Sequence, residues 1–325
     1  MLMNKRKFIL VLRWLAWIVI IQFVLLNISA AFYASKFTHL NTPEEMEAVI
    51  KNPPPKNIFA KTWRLFSGYR FYKNGQQGLP DFPYTIVHLA TSDSIIIEAW
   101  YSGLDSGARG TVILFHGLMA NKSFVIDQAR EFRKRGYNVI MPDTRNHGNS
   151  TGSNTSYGYH ETEEVKLAYD YVKARGEQNI YFWGISMGAV EIMKAVADYN
   201  LAAKGLCLEM PFGSLQAHVK ARLGNMGFPR QPFGFLITCW IGIERGFNGP
   251  GYQSARYAKQ IHCPVLLQYG TRDQLVNREE IDEIYNAIPS TNKKLVIYQD
   301  AYHESLLQYD PDRWKKEIDE FLGIE

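Results

Sequence analysis

Apolar residues fill the stretch from Phe8 to Ile28, where the strongly polar members are Arg13, Gln22 and Asn27. About 20 apolar residues cross a bilayer as a helix, and this run reaches that length. Lys5, Arg6 and Lys7 precede it, and Arg13 lies near the charged end, from which a long side chain reaches the headgroups. Trp14 and Trp17 at one end, with Phe32 and Tyr33 at the other, suit the two membrane interfaces. The leading positive charge predicts a single-pass anchor over residues 1–35 with a cytoplasmic N-terminus. The body then lies on the non-cytoplasmic side, periplasmic or extracellular. A cleaved signal peptide is the alternative, because Ser29-Ala30-Ala31 resembles a small-residue cleavage site. Against it, the apolar stretch exceeds the usual signal core of about 7–15 residues.

Residues 36–80 read as a connector. Thr42-Pro43-Glu44-Glu45 predicts a capped helix start with proline at the first helical position. Lys51-Asn52-Pro53-Pro54-Pro55 then stops that helix and stiffens the chain. From Tyr84 the pattern becomes regular. Tyr84–Ala90 and Ser94–Tyr101 are β-rich runs joined by Thr91-Ser92-Asp93, which predicts an antiparallel hairpin. Short apolar runs follow at Thr111–Phe115, Asn138–Met141, Asn179–Trp183, Gly205–Glu209, Pro264–Tyr269 and Lys294–Gln299. Helical patterns separate them at Ser123–Arg135, His160–Arg175, Met187–Tyr199 and Glu279–Ile288, and Pro311–Leu322 closes the chain. Runs apolar on both faces that alternate with helices predict a parallel sheet buried on both sides. The expectation is therefore an α/β fold over residues 81–325, with an eight-stranded, mostly parallel sheet and helices on both faces. The gap Phe212–Gln260 exceeds what one crossover helix requires and predicts a cap inserted after strand six, at about 212–260.

Composition narrows the function classes. Apolar residues make up 46% and charged residues 21%, which excludes a disordered or collagen-like chain. Cys207, Cys239 and Cys263 are too few and scattered for a disulfide framework or a zinc cluster. The net charge of +4 resides in residues 1–35, which hold Lys5, Arg6, Lys7 and Arg13 and no acid. A neutral body argues against nucleic acid as a partner. His147, His160, His218 and His262 lack metal-ligand spacing, and no phosphate-binding Gly-rich loop adjoins a strand. No metal and no cofactor are expected.

The pattern Gly-x-Ser-x-Gly occurs twice. Gly148-Asn149-Ser150-Thr151-Gly152 lies in a polar loop with no helix directly behind it. Gly184-Ile185-Ser186-Met187-Gly188 follows the strand Asn179–Trp183 and opens the helix Met187–Tyr199. A nucleophile elbow needs the second context, because a sharp strand-to-helix turn holds the serine strained and exposed to substrate. Glycines two residues to either side remove Cβ atoms that would clash in so tight a turn, and the helix N-terminus supplies N–H groups. Ser186 is thus the candidate nucleophile and Ser150 a loop residue. A serine hydroxyl needs a base, and the base an orienting group. Asp273 lies just past the strand Pro264–Tyr269 and His303 just past Lys294–Gln299, so both fall at the same sheet edge as Ser186, in the chain order Ser, Asp, His.

On these residues the chain resembles the α/β-hydrolase superfamily, among its serine aminopeptidase-like and monoacylglycerol lipase-like members, over roughly residues 84–322. The resemblance implies an oxyanion loop at His116-Gly117-Leu118-Met119, with the backbone N–H of Leu118 joining that of Met187. Asp143-Thr144-Arg145-Asn146-His147-Gly148-Asn149-Ser150 is similar to the D-x-R-x-x-G-x-S stretch that shapes the loop beside the site. Glu209 in Glu209-Met210-Pro211-Phe212 matches the place where a few relatives carry the catalytic acid, and is the reserve for Asp273. The expected activity is hydrolysis of carboxylic esters or thioesters through a covalent acyl-enzyme, on a small acyl or lipid-like substrate. A serine peptidase, or a non-catalytic binding protein of the same fold, is the alternative. Gly213–Gln260 carries Lys220, Arg222, Arg230, Arg245, Arg256 and Lys259 against Glu244 alone. It also holds the apolar run Phe233–Ile243, which is expected to pack over the site or touch a membrane surface, with Trp240 as a wall that selects acyl-chain length. A basic, apolar cap fits an acyl substrate with a negative head or docking against anionic lipid.

Overall fold

Helix α1 runs unbroken from Lys5 to Thr38 in the computed structural model, which describes residues 5–53, 55, 57–104 and 106–324. Its two halves differ in surroundings. Residues 6–25 are exposed along their length, whereas Ser29, Ala30, Tyr33, Ala34, Phe37 and Thr38 are buried in the body. Strand β1 (Leu40–Asn41) follows, then α2 (Pro43–Lys51), α3 (Ile58–Ser67) and β2 (Phe71–Tyr72), which pairs in parallel with β1. α2 starts as its sequence predicts: Thr42 caps it, Glu45 closes a capping box and Pro43 opens the first turn. Pro54 of the proline run lies outside the described residues. α3 is fastened to α1 by Ser29 Oγ donating to Phe66 O at 2.6 Å and by Tyr33 Oη donating to Leu65 O at 2.9 Å. Within residues 36–80, read as a connector, the first part packs into the body: Phe37 and Leu40 are core residues, and Tyr157 Oη donates to Phe37 O at 3.1 Å. The sequence hides this because short, polar-interrupted elements bury a few aromatic rings without any regular period.

The main sheet comprises β3 (Thr85–Ala90), β4 (Ile96–Ser102), β5 (Thr111–Phe115), β6 (Asn138–Pro142), β7 (Ile180–Ile185), β8 (Gly205–Glu209), β9 (Val265–Gly270) and β10 (Lys293–Tyr298). Their spatial order is β10-β9-β8-β7-β5-β6-β4-β3, and β4 runs antiparallel to both of its neighbours. Every residue of β5, β8 and β9 is buried, as runs covered on both faces require. The crossovers are α4 (Ile126–Lys134), α5 (Thr162–Lys173), α6 (Met187–Tyr199) and α10 (Arg278–Ala287), with α11 (Leu306–Tyr309) and α12 (Pro311–Leu322) last. The predicted helix Ser123–Arg135 is shorter than expected. Asn121 accepts the N–H of Ser123 and starts a 3₁₀ turn over Lys122–Val125, and the α-helix begins only at Ile126.

Between β8 and β9 come α7 (Leu215–Asn225), α8 (Phe233–Arg245) and α9 (Ser254–Ala258). α8 is the apolar run of the cap, and it packs along α1. Trp240 and Glu244 line a groove there with Phe23, Val24, Asn27, Ile28, Ala31, Phe32 and Ser35. A helix apolar on nearly every side needs apolar cover all round, and α1 provides part of it. Trp240 is therefore a partner of α1, not the wall of the acyl site that its sequence context suggested.

The strand order fixes where a site can form. β5 leads through α4 to β6 on one side, while β6 leads through α5 to β7 on the other side of β5. The loops leaving β5 and β7 diverge at this switch point and open a crevice at the carboxyl ends of the strands.

Candidate active site

Ser186 sits at that crevice, between the end of β7 and the start of α6. Its backbone is at φ 55° and ψ −116°, a conformation that L residues rarely adopt and that costs on the order of 1–3 kcal/mol. Surrounding hydrogen bonds hold it there: Ser186 N–H donates to Glu209 O at 2.8 Å, and Ser186 O accepts from Val190 N–H at 3.2 Å. The flanking glycines are steric necessities. A Cβ on Gly184 would lie 2.7 Å from the backbone of Gly188, and one on Gly188 would lie 2.4 Å from Phe115 O and 2.7 Å from His116 O. Gly188→Ala must push α6 away from β5. It is expected to cost on the order of 1–3 kcal/mol or more, as overpacking does, and to depress reaction of Ser186 with a fluorophosphonate. A melting curve and a labelling time course check both.

Asp273 and His303 meet above the ends of β9 and β10. His303 Nδ1 donates to Asp273 Oδ2 at 2.6 Å, and Asp273 Oδ1 accepts the backbone N–H groups of Leu275 at 2.7 Å and Val276 at 2.9 Å. The carboxylate side chain is fully buried and the imidazole retains 18% exposure. With Nδ1 donating, Nε2 is the unprotonated nitrogen of the neutral ring, the state a general base needs. Ser186 and His303 line one cavity of about 520 Å³. Among the described residues no hydrogen bond joins them; such contacts are often long before substrate binds.

The loop after β5 forms the facing wall. The backbone N–H groups of Leu118, which lines the cavity, and of Met187, which follows Ser186, have no hydrogen-bond acceptor among the described residues. Two buried imidazoles hold this loop. His147 Nε2 accepts Met119 N–H at 3.1 Å and its Nδ1 donates to Arg145 O at 2.8 Å. His116 Nε2 accepts Thr144 N–H at 3.2 Å and its Nδ1 donates to Gly117 O at 2.8 Å. Burial lowers both far below the ordinary histidine range, His116 to about 4, so both stay neutral and keep these tautomers.

The stretch after β6 is structural. Asp143 accepts the backbone N–H of Lys122 at 2.6 Å and that of Asn149 at 2.9 Å, and it pairs with the buried Lys122 ammonium. Gly148, at φ +46°, passes so close to Asp143 that a Cβ would fall 2.0 Å from Oδ2. Ser150 Oγ donates to Asp143 O at 2.7 Å and accepts Glu98 N–H at 2.9 Å. This second serine ties β4 to the loop that leaves β6, and it is not among the residues lining the cavity of Ser186 and His303.

Glu209, the reserve acid, is held elsewhere. Its Oε1 accepts the indole N–H of Trp314 at 2.7 Å and of Trp183 at 3.0 Å, and burial pushes its carboxyl up to about 7. The carboxylate that touches His303 belongs to Asp273.

Of the other lining residues, Arg222 is one of the cations of the cap, and the rest carry no local signal for the site. Phe71 and Asn74 come from the segment before the sheet, His218, Arg222 and Asn225 from α7, and Met226 from just beyond its end. Their positions follow from the return of the chain over the sheet edge, which no spacing in the sequence reports.

Comparison with known proteins agrees with this architecture. The family model for serine aminopeptidases of the S33 type matches residues 106–230 and 251–312, more than half of the chain. A lysophosphatidylserine lipase of Xenopus tropicalis is 24% identical over 243 residues, covering 69% of this chain and 60% of that protein. The chain spans 47–62% of the length of the three vertebrate lysophosphatidylserine lipases it matches. A thermostable monoacylglycerol lipase of Bacillus sp. strain H-257 is 25% identical over 231 residues, covering 66% of this chain and 89% of the lipase. The crystal structure of a Pyrococcus furiosus esterase superposes with a TM-score of 0.64 at 25% identity, over 79% of this chain and 98% of that one. The eight-stranded sheet, the elbow after β7 and the extent of the family match together make the chain a hydrolase of the α/β-hydrolase superfamily, belonging to the serine aminopeptidase S33 family.

Proposed function

We propose that the protein is a membrane-anchored serine hydrolase that cleaves carboxylic esters or thioesters of acyl chains through a covalent acyl-enzyme. The observation that carries this reading is a strained serine sharing a cavity with a histidine already bonded to a buried aspartate. His303 Nε2 takes the Ser186 proton as Oγ bonds to the carbonyl carbon, and the carbonyl electron pair moves onto oxygen between the Leu118 and Met187 N–H groups. The oxyanion collapses, the bond to the leaving alcohol breaks, and His303 gives that alcohol the proton. Water then adds to the acyl-enzyme with His303 again as base, releasing the acid and restoring Ser186.

Esters are favoured over peptides by the cavity lining. Phe71, Phe124, Val125, Ile185, Leu275 and Met226 make most of it apolar. Among the described lining residues the acids are limited to Glu304, whose Oε1 already accepts the backbone N–H of Tyr302 at 3.0 Å. An aminopeptidase needs acids to hold a substrate ammonium. A panel of p-nitrophenyl esters of increasing chain length is expected to be hydrolysed faster than any free-amine aminoacyl nitroanilide; the reverse order would establish the peptidase reading.

The membrane part of the proposal is supported by α1 and its neighbour. α3 exposes Ile58 by 68%, Phe59 by 82% and Trp63 by 57%, and Trp63 packs on Phe32 of α1 with ring centroids 5.7 Å apart. An apolar face beside the point where α1 enters the body suits an interfacial helix. The Ser29–Ala31 stretch is inside a continuous helix, with Ala30 wholly buried, which supports an uncleaved anchor. The protein is expected to stay with membranes through an alkaline wash and to retain a peptide spanning residues 29–36 in mass spectrometry. Release into the wash with a new N-terminus near Ala31 would replace the anchor by a signal peptide.

A further inference from the structure

Two polar side chains of α7 face the cavity without the partners that groups of their kind require. His218 is 2% exposed, packed between Phe212 and Tyr157 with ring centroids 5.0 and 5.5 Å away, and neither ring nitrogen has a hydrogen-bond partner. Burial and the nearby Arg222 charge lower its pKa, so the ring is neutral and offers one donor and one acceptor. Arg222, one turn further on, has no carboxylate partner among the described residues. Its guanidinium lies 4.5 Å from the ring centre of Phe71 and 5.3 Å from that of Phe37. Among the described residues its one hydrogen-bond contact is Nη2 to Met119 Sδ at 3.8 Å, a weak acceptor. Aromatic stacking fixes the plane of an arginine while leaving its N–H edges available. Those edges belong to the same cavity as Ser186.

We propose that Arg222 and His218 form a subsite for an oxyanion, phosphate or carboxylate, carried by the alcohol part of the substrate ester. The inference rests on the reading of this cavity as the acyl-ester site. The acyl chain is apolar and matches Phe124, Val125, Ile185 and Leu275, which leaves the arginine corner for the polar portion of the molecule. A guanidinium in a largely apolar cavity is compensated when an anion arrives, and the bidentate fork suits phosphate and carboxylate alike. His218 adds a neutral N–H to the same group and gains the partner that it lacks.

Binding of non-hydrolysable ether analogues to the full chain in nanodiscs tests this without relying on turnover. The probes are 1-alkylglycerol, 1-alkylglycerol 3-phosphate and the corresponding alkylglyceric acid, all with one chain length. The wild type is expected to bind one or both anionic analogues at least about tenfold more tightly than the neutral one, and the stronger of the two identifies the group. Arg222→Gln is expected to erase a preference on the order of 10- to 100-fold, the range of one charge-assisted hydrogen bond. Arg222→Lys should retain part of it, and His218→Phe should reduce it by less. Equal binding of all three analogues by the wild type, or an unchanged preference in Arg222→Gln, overturns the subsite. Fluorophosphonate labelling of Ser186 in the same samples reports on the nucleophile separately. Normal labelling without anion preference rejects the subsite alone, and preference without labelling upholds the subsite while rejecting the acyl-enzyme.

Discussion

Ser186→Ala is expected to abolish ester turnover, with a loss on the order of 10⁶-fold in kcat, the scale seen when a hydrolase loses its nucleophile. The alanine removes the atom that bonds to the carbonyl carbon, so what remains is binding and the polarising effect of the Leu118 and Met187 N–H groups. Folding should survive, because the Ser186 side chain makes no hydrogen bond among the described residues and the strained backbone is held by Glu209 O and Val190 N–H. Ser150→Ala is the matched control, since it sits in the same five-residue pattern. It deletes the bridge between Glu98 N–H and Asp143 O, which should cost about 1–3 kcal/mol of stability while leaving most turnover. Ester hydrolysis, fluorophosphonate labelling and a melting curve on both variants separate the two effects. Near-normal turnover by Ser186→Ala would end the acyl-enzyme mechanism.

Asp273→Asn is expected to lower kcat by roughly 10⁴-fold, as when a triad aspartate loses its charge. In the proposed mechanism Asp273 does two things at once. Its Oδ2 would keep the proton of His303 on Nδ1, and its charge would oppose the imidazolium formed as Ser186 attacks. An amide in its place can present N–H to Nδ1, which turns the ring to the wrong tautomer. Glu209→Gln is expected to behave otherwise. Burial raises the Glu209 carboxyl to about 7 from an ordinary 4.5. A folded-state pKa above the unfolded one means that its stabilising contribution is complete at low pH and is lost as pH rises through about 7. Glutamine cannot ionise, so Glu209→Gln should keep turnover within a few-fold of wild type. It should also gain stability relative to wild type between pH 5 and 8, by up to about 3 kcal/mol if the whole shift is expressed. Activity assays and melts across that pH range check both variants. A larger activity loss in Glu209→Gln than in Asp273→Asn would move the acid to the end of β8.

The sheet was readable because its signal is local. A run such as Val265–Leu267, buried at every position, must be apolar along its length, and an apolar run between helical patterns has few other meanings. The elbow was readable for a related reason: φ 55° at Ser186 and the 2.4 Å that would separate a Cβ on Gly188 from Phe115 O dictate glycine within a fixed five-residue window. Asp273 and His303 each follow a recognisable strand, so their shared edge could be deduced, and their contact at 2.6 Å agrees with that deduction. Ser150 shows the limit. The same pattern recurs there with a different purpose, and context, not the pattern, tells the two apart.

Composition and periodicity were sufficient for the eight strands, the apolar N-terminal helix, the cap between β8 and β9 and the candidate chemistry at the sheet edge, since each is written in contiguous residues. What fills the rest of the cavity was decided by folding in three dimensions. The entry of α1 into the body, the packing of α8 and Trp240 against it, and the gathering of Phe71, His218 and Arg222 over Ser186 join residues as much as about 220 positions apart. Such contacts depend on shape and on which apolar face finds cover first, and a helix like α8, apolar on nearly every side, gives no direction of its own. A lone arginine or histidine acquires meaning only from what surrounds it, and for Arg222 and His218 those surroundings come from four separate segments of the chain.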